Sequence, residues 1–147
     1  MNARKILFST DFSHTGDAAL GLATALARDM GATLHIVHVE ELPIVYGVGE
    51  MYYGMPDPNE EQLRELLSKV VPTDNQVPFQ HHMVIGIPAD SIIRLAESEH
   101  VDMIVMGTHG RTGLTRLLMG SVTEAVVRGA PCPVLTYKQP HEKPADS

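Results

Sequence analysis

The residues able to do chemistry gather in two short segments. From position 106 the chain reads Met106-Gly-Thr-His-Gly-Arg-Thr-Gly-Leu-Thr-Arg-Leu-Leu-Met-Gly120-Ser-Val-Thr-Glu124. Gly107 follows an apolar run of strand character, so its missing side chain lets a ligand approach the backbone. Gly110 permits the positive φ of a sharp reversal. Gly120-Ser121 opens a helix, where the amides of Gly120, Ser121, Val122 and Thr123 are expected to point outward. With the Ser121 hydroxyl and the helix dipole they form an anion site suited to a phosphate chain. The competing reading is structural: glycines make turns, and Ser121 with Glu124 forms a capping box. The second segment is Ser9-Thr-Asp-Phe-Ser13, in which Asp11 stands at a strand's carboxyl end, placed for ligand contact or for capping the next helix. Arg111 and Arg116 are candidates for neutralising phosphate.

Other chemistry finds less support. No Walker lysine follows the glycines, and no nucleophile elbow or paired carboxylates stand out, so rapid turnover is not expected. There are eight histidines. His81 and His82 fall on opposite faces of a strand, as do His35 and His38, so neither pair chelates naturally. No His-Glu-x-x-His or cysteine pair points to zinc. Cys132, between Pro131 and Pro133, reads as a small apolar residue without a basic neighbour to lower its pKa.

The bulk composition narrows the classes further. One domain accommodates 147 residues, and 44% apolar with 20% charged residues is globular rather than disordered. A formal charge of −7 argues against a surface that tracks DNA or RNA, without excluding one nucleotide held by backbone amides. No run approaches the ~20 apolar residues of a membrane helix. Ile6-Leu7-Phe8 is too short for a secretory core, and a single cysteine precludes an intrachain disulfide. A cytoplasmic location is the expectation.

The elements that must position these segments alternate. Strands are expected over Lys5–Ser9, 33–39, 77–85, 101–106 and 134–138. The helix after the first strand carries a stripe of Ala19, Leu22, Ala23, Leu26 and Met30, with Gly31 at its stop. A second presents Leu63, Leu66, Leu67 and Val70 before Pro72. A third starts at Pro88 and buries Ala89, Ile92, Ile93 and Ala96. The last runs from about Ser121 to Arg128. This rhythm implies parallel strands and right-handed crossovers, in a flavodoxin-like or related doubly wound α/β sheet. Ligands then bind beyond the carboxyl ends of the strands, where strand order reverses.

Taken together, Gly107-x2-Gly110-x9-Gly120-Ser121 resembles the Gly-x2-Gly-x9-Gly-Ser/Thr signature of the ATP-binding universal stress proteins. The resemblance spans nearly the whole chain: Ile6 to Ser13 looks like the family's opening strand and loop, Leu34 to Val39 its second strand, and Pro131 to Leu135 its last. It implies one domain over 1–138 with a five-stranded sheet in the order 3-2-1-4-5, and a tail over 139–147. It also implies roles. Thr10 and Asp11 would lie by the adenosine, Val39 would offer its backbone to adenine, and Met106 and Gly107 would floor the nucleoside. Gly110 would let the loop fold over, with Thr108 and Arg111 beside it, and Gly120, Ser121, Val122 and Thr123 would hold the phosphates. Thr10 stands where many relatives have proline or valine, which is expected to loosen the first loop slightly.

The implied cofactor is ATP, with Mg²⁺ or Mn²⁺ on its phosphates, and the implied function a nucleotide-dependent binding or signalling module in stress response. The alternatives are a slow ATPase or self-phosphorylating enzyme, an adenylating enzyme, and a stress factor that binds no nucleotide. The adenylating class carries Ser-Gly-Gly-x-Asp-Ser after strand one, which Ser9-Thr-Asp-Phe-Ser13 does not match. An apolar last strand, Val134 to Tyr137, is an edge that needs covering, and both it and the resemblance point to a homodimer. Residues 41–59, with Tyr46, Tyr52, Tyr53, Met51 and Met55, read either as a surface insertion or as a lid or docking arm.

Overall fold

The computed structural model describes residues 4–12, 15–41, 60–108 and 120–138. Strands and helices alternate: β1 (Lys5–Ser9), α1 (Thr15–Met30), β2 (Thr33–Glu40), α2 (Glu60–Ser68), β3 (Phe79–Ile85), α3 (Pro88–Ser98), β4 (Met103–Gly107), α4 (Ser121–Gly129) and β5 (Val134–Tyr137). All pairings are parallel, in the order β3-β2-β1-β4-β5. The doubly wound α/β sheet expected from the alternation is therefore the observed one. The arm over 42–59, the central part of the glycine loop (109–119) and the tail (139–147) lie outside the described residues.

Period-two alternation divides the core between the two faces of the sheet. Ile6 and Phe8 of β1, Leu34 and Ile36 of β2 and Val105 of β4 pack under α1 and α2, against Ala19, Ala23, Ala27 and Leu67. Leu7, Val37, Ile104 and Met106 face the other way, against Ile92 and Ala96 of α3 and Val126 of α4. On α1 the fully buried apolar residues are three alanines at i, i+4 and i+8. That stripe is narrower than the one expected, and it lets the helix lie close to β1. Gly31, at φ +67, ends α1 in the left-handed conformation that glycine adopts freely.

Three boundaries depart from expectation, each for a local reason. β4 starts at Met103 because the Val101 amide completes α3 through Ala96 O, at 3.0 Å. α2 stops at Ser68, four residues before Pro72, where the Ser68 hydroxyl donates back to Glu65 O at 2.6 Å. Its apolar face is also narrower than read: Leu67 is buried, whereas Leu66 is 45% exposed. β3 begins at Phe79, after Pro78, which has no amide to donate to a ladder.

The histidines divide as the alternation requires, with one addition. His81 Nε2 donates to Val70 O on the α1 side (2.7 Å), while His82 lies on the α3 side against buried His35. The rings of His35 and His82 stack at 5.1 Å, with His35 Nδ1 and His82 Nε2 2.9 Å apart. Among the described residues no group of three or more His, Cys, Asp or Glu is placed to hold a metal ion.

Candidate nucleotide site

The two chemistry-bearing segments meet because strand order reverses at β1. That strand pairs with β2 on one side and β4 on the other. β1 is followed by α1 on one face of the sheet, and β4 by α4 on the opposite face. The helices that follow the two neighbouring carboxyl ends thus lie on opposite faces, the arrangement that leaves a ligand crevice in doubly wound sheets. Thr10 and Asp11 stand on one side of it, and Gly107, Thr108 and the start of α4 on the other. Val39 is the penultimate residue of β2, two strands from Gly107.

On the β4 side, backbone and side-chain bonds fix the geometry. The Thr108 amide donates to Tyr137 O at 3.0 Å, and its carbonyl accepts from the Gly120 amide at 2.7 Å. The two ends of the glycine loop are thereby joined. This bond also corrects one expectation: the Gly120 amide is committed to Thr108. The amides left without an intrahelical acceptor at the start of α4 are those of Ser121, Val122 and Thr123. The Thr123 hydroxyl, buried, donates to Gly107 O at 2.9 Å and holds the first turn of α4 against the end of β4.

The capping box read for Ser121 and Glu124 does not form. Gly120 is the N-cap, with no side-chain cap hydrogen bond, and Ser121 is the first helical residue. The Glu124 carboxylate turns instead to Arg128 one turn on, at 2.7 Å. Ser121 is exposed beside the uncapped amides. Met106, expected to floor the nucleoside, is buried in the core beneath α3 and α4. Gly110, Arg111 and Arg116 lie outside the described residues.

On the β1 side, Thr10 is tied three times. Its amide donates to Val37 O at 2.9 Å, its hydroxyl accepts from the Phe12 amide at 3.1 Å, and its carbonyl meets His38 Nδ1 at 2.9 Å. The expected loosening of this loop by threonine is thus overturned. Proline would have no amide for Val37, and neither proline nor valine has a hydroxyl for Phe12. Asp11 lies between two pinned residues, and α1 begins only at Thr15, four residues on.

Sequence reasoning missed three residues here. His38, on the α1 side of β2, is buried, with Nε2 2.7 Å from Glu40 Oε2. The Phe12 ring packs on His38 with centroids 4.3 Å apart, and Phe12 has φ +66. The available signal was a histidine inside an apolar strand, followed at i+2 by a carboxylate on the same face. Cys132, on the far side of β4, takes no part: burial first, and Asp102 second, push its thiol pKa up, which keeps it protonated.

Comparison with known proteins bears on this crevice. The sequence profile of the universal stress protein family matches residues 2–138. Universal stress protein MJ0531 of Methanocaldococcus jannaschii is 33% identical over 144 residues, covering 95% of this chain and 85% of its own. The structure of MJ0577, from the same organism, superposes with a TM-score of 0.76 at 30% identity, covering 97% of this chain and all of that one. A universal stress protein of Archaeoglobus fulgidus, solved in complex with dAMP, gives a TM-score of 0.68 at 26% identity, covering 92% of this chain and 98% of that one.

Proposed function

Because the chain belongs to the universal stress protein family, we propose that it is an ATP-binding member acting as a nucleotide-dependent binding or signalling module in stress response. The observation that carries this reading is the uncapped start of α4, facing the β1–β4 crevice. There the first turn of the helix, with its free amides and the exposed Ser121, is tied by Thr123 to the end of a strand that closes in glycine. A helix start with no side chain spent on it is a site for phosphate. The dAMP complex of the Archaeoglobus fulgidus relative supports an adenine nucleotide as the ligand class. In this reading Thr10, Asp11 and Val39 receive the adenosine, and Gly107, Thr108, Gly110, Arg111, Gly120, Ser121, Val122 and Thr123 surround the phosphates. Mg²⁺ or Mn²⁺ rides on those phosphates, as suits a cation that keeps several of its waters. The partner surface includes β5, through which two copies pair.

Gly120→Val tests the assignment cleanly. Gly120 has φ −59 and ψ 149, an extended backbone that valine adopts without strain. Backbone strain at this position therefore does not account for a loss of affinity. Calorimetric titration with Mg-ATP should show affinity falling about tenfold or more, roughly 1.4 kcal/mol, with a cooperative melt retained. Unchanged affinity would overturn the phosphate assignment.

A further inference from the structure

We propose that His38 is the positioning residue of the adenosine half of this site, setting both Asp11 and Val39 through one doubly bonded imidazole. The proposal rests on the reading of the crevice as a nucleotide site, and adds to it the residue that shapes one end.

The argument begins with hydrogen positions. Thr10 O can only accept, so His38 Nδ1 must carry the hydrogen of their 2.9 Å contact. His38 Nε2 then faces Glu40 Oε2 at 2.7 Å, a separation that requires a hydrogen between them. Whichever atom holds it, the ring is anchored at both nitrogens and cannot turn without breaking both bonds. The imidazole is 2% exposed, so water does not replace either partner.

Both anchors act on residues expected to touch adenosine. The bond from Nδ1 stops Thr10 on the amino side of Asp11. On the carboxyl side, Phe12 is held by the Thr10 hydroxyl and by its ring contact with His38. Phe12 occupies the left-handed region, which a bulky side chain adopts only when its surroundings impose it. The same imidazole is one of the two restraints that impose it. The bond from Nε2 reaches residue i+2 on the same face of β2 and so spans Val39, bracing a backbone that the ladder with β3 already directs. One side chain thereby couples the loop after β1 to the end of β2, and neither link reaches α4.

The consequence is a split between the two ends of the ligand. Removing the imidazole should weaken recognition of adenosine and spare recognition of phosphate. The test measures the affinities of ATP and of inorganic triphosphate by calorimetry for the full chain and for His38→Leu, His38→Asn and Glu40→Ala. His38→Leu is expected to lose about tenfold for ATP while triphosphate stays within about twofold. Asparagine places an amide N–H where Nδ1 stands, so His38→Asn should recover most of that loss. Glu40→Ala should fall between the two. Where the leucine variant fails to fold, the asparagine and alanine variants decide. An ATP affinity equal to the parent's in every folded variant overturns the proposal, as does an equal loss for ATP and triphosphate. Failure of the parent itself to bind ATP would instead overturn the nucleotide reading on which the proposal stands.

Discussion

The Thr123 hydroxyl donates to the Gly107 carbonyl at 2.9 Å, a side chain on the first turn of α4 reaching back to the last residue of β4. The bond spans the two ends of the glycine-rich segment, alongside the Gly120–Thr108 backbone bond at 2.7 Å. Together they set the distance between the floor of the crevice and the amides above it. A purely apolar contact would leave the Gly107 carbonyl facing a side chain that cannot donate to it.

Thr123→Val keeps the shape of that side chain and removes the donor. The variant should lose about 1–3 kcal/mol of stability, the usual range for a buried group left unsatisfied, and should bind ATP less tightly. Thr123→Ser, which retains the hydroxyl, should stay close to the parent in both. Denaturant melts and ATP titrations of the three proteins check this, and a valine variant as stable as the parent would contradict it.

The His35–His82 pair predicts acid lability. Burial, and then the charge of His82, hold the His35 pKa below the ordinary 6.5. Burial holds His82 below it too, with Glu99 opposing and His81 adding to the effect. Unfolded histidines take up protons near 6.5, where the folded pair still resists them. Stability is therefore fully present above about pH 6.5 and falls as the pH drops towards the pKa values of the folded pair. Glutamine can still hydrogen-bond His35 but takes no proton in this range, so His82→Gln should flatten the fall. Urea melts from pH 8 to pH 5 measure it, and parallel curves for parent and variant would refute the assignment.

The β5 edge predicts association. Leu135, in the middle of that outermost strand, is 37% exposed. Leu135→Lys places a charge on the proposed pairing surface and should shift a dimer to monomer at micromolar concentration while the sheet stays folded. Light scattering on both proteins decides the matter: a monomeric parent, or an equally dimeric variant, removes β5 as the interface.

Much of the fold was legible because local chemistry and tertiary structure agree. Lys5–Ser9 reads as a strand by its apolar run and is one, and Pro88 opens α3 as its fixed φ favours. The glycine spacing coincides with a strand that ends in Gly107 and a helix that opens after Gly120. The errors fell where one residue had two possible partners. Ser121 and Glu124 have the spacing of a capping box, yet the helix starts one residue earlier than that motif requires, and Glu124 finds Arg128.

What the chain determined by itself was periodic and local: five strands, their buried faces, and the glycines and helix start of the proposed phosphate end. Tertiary structure alone decided the contacts at the proposed adenosine end. His38 lies 28 residues from Thr10 in sequence, and only parallel pairing of β1 with β2 brings its imidazole to the Thr10 carbonyl. In the same way, His35 and His82 are 47 residues apart and meet only because β2 and β3 are neighbours. The register of parallel strands depends on the packing of both sheet faces and their crossovers at once. No window of sequence contains that information, and it selected which polar side chains would share hydrogens.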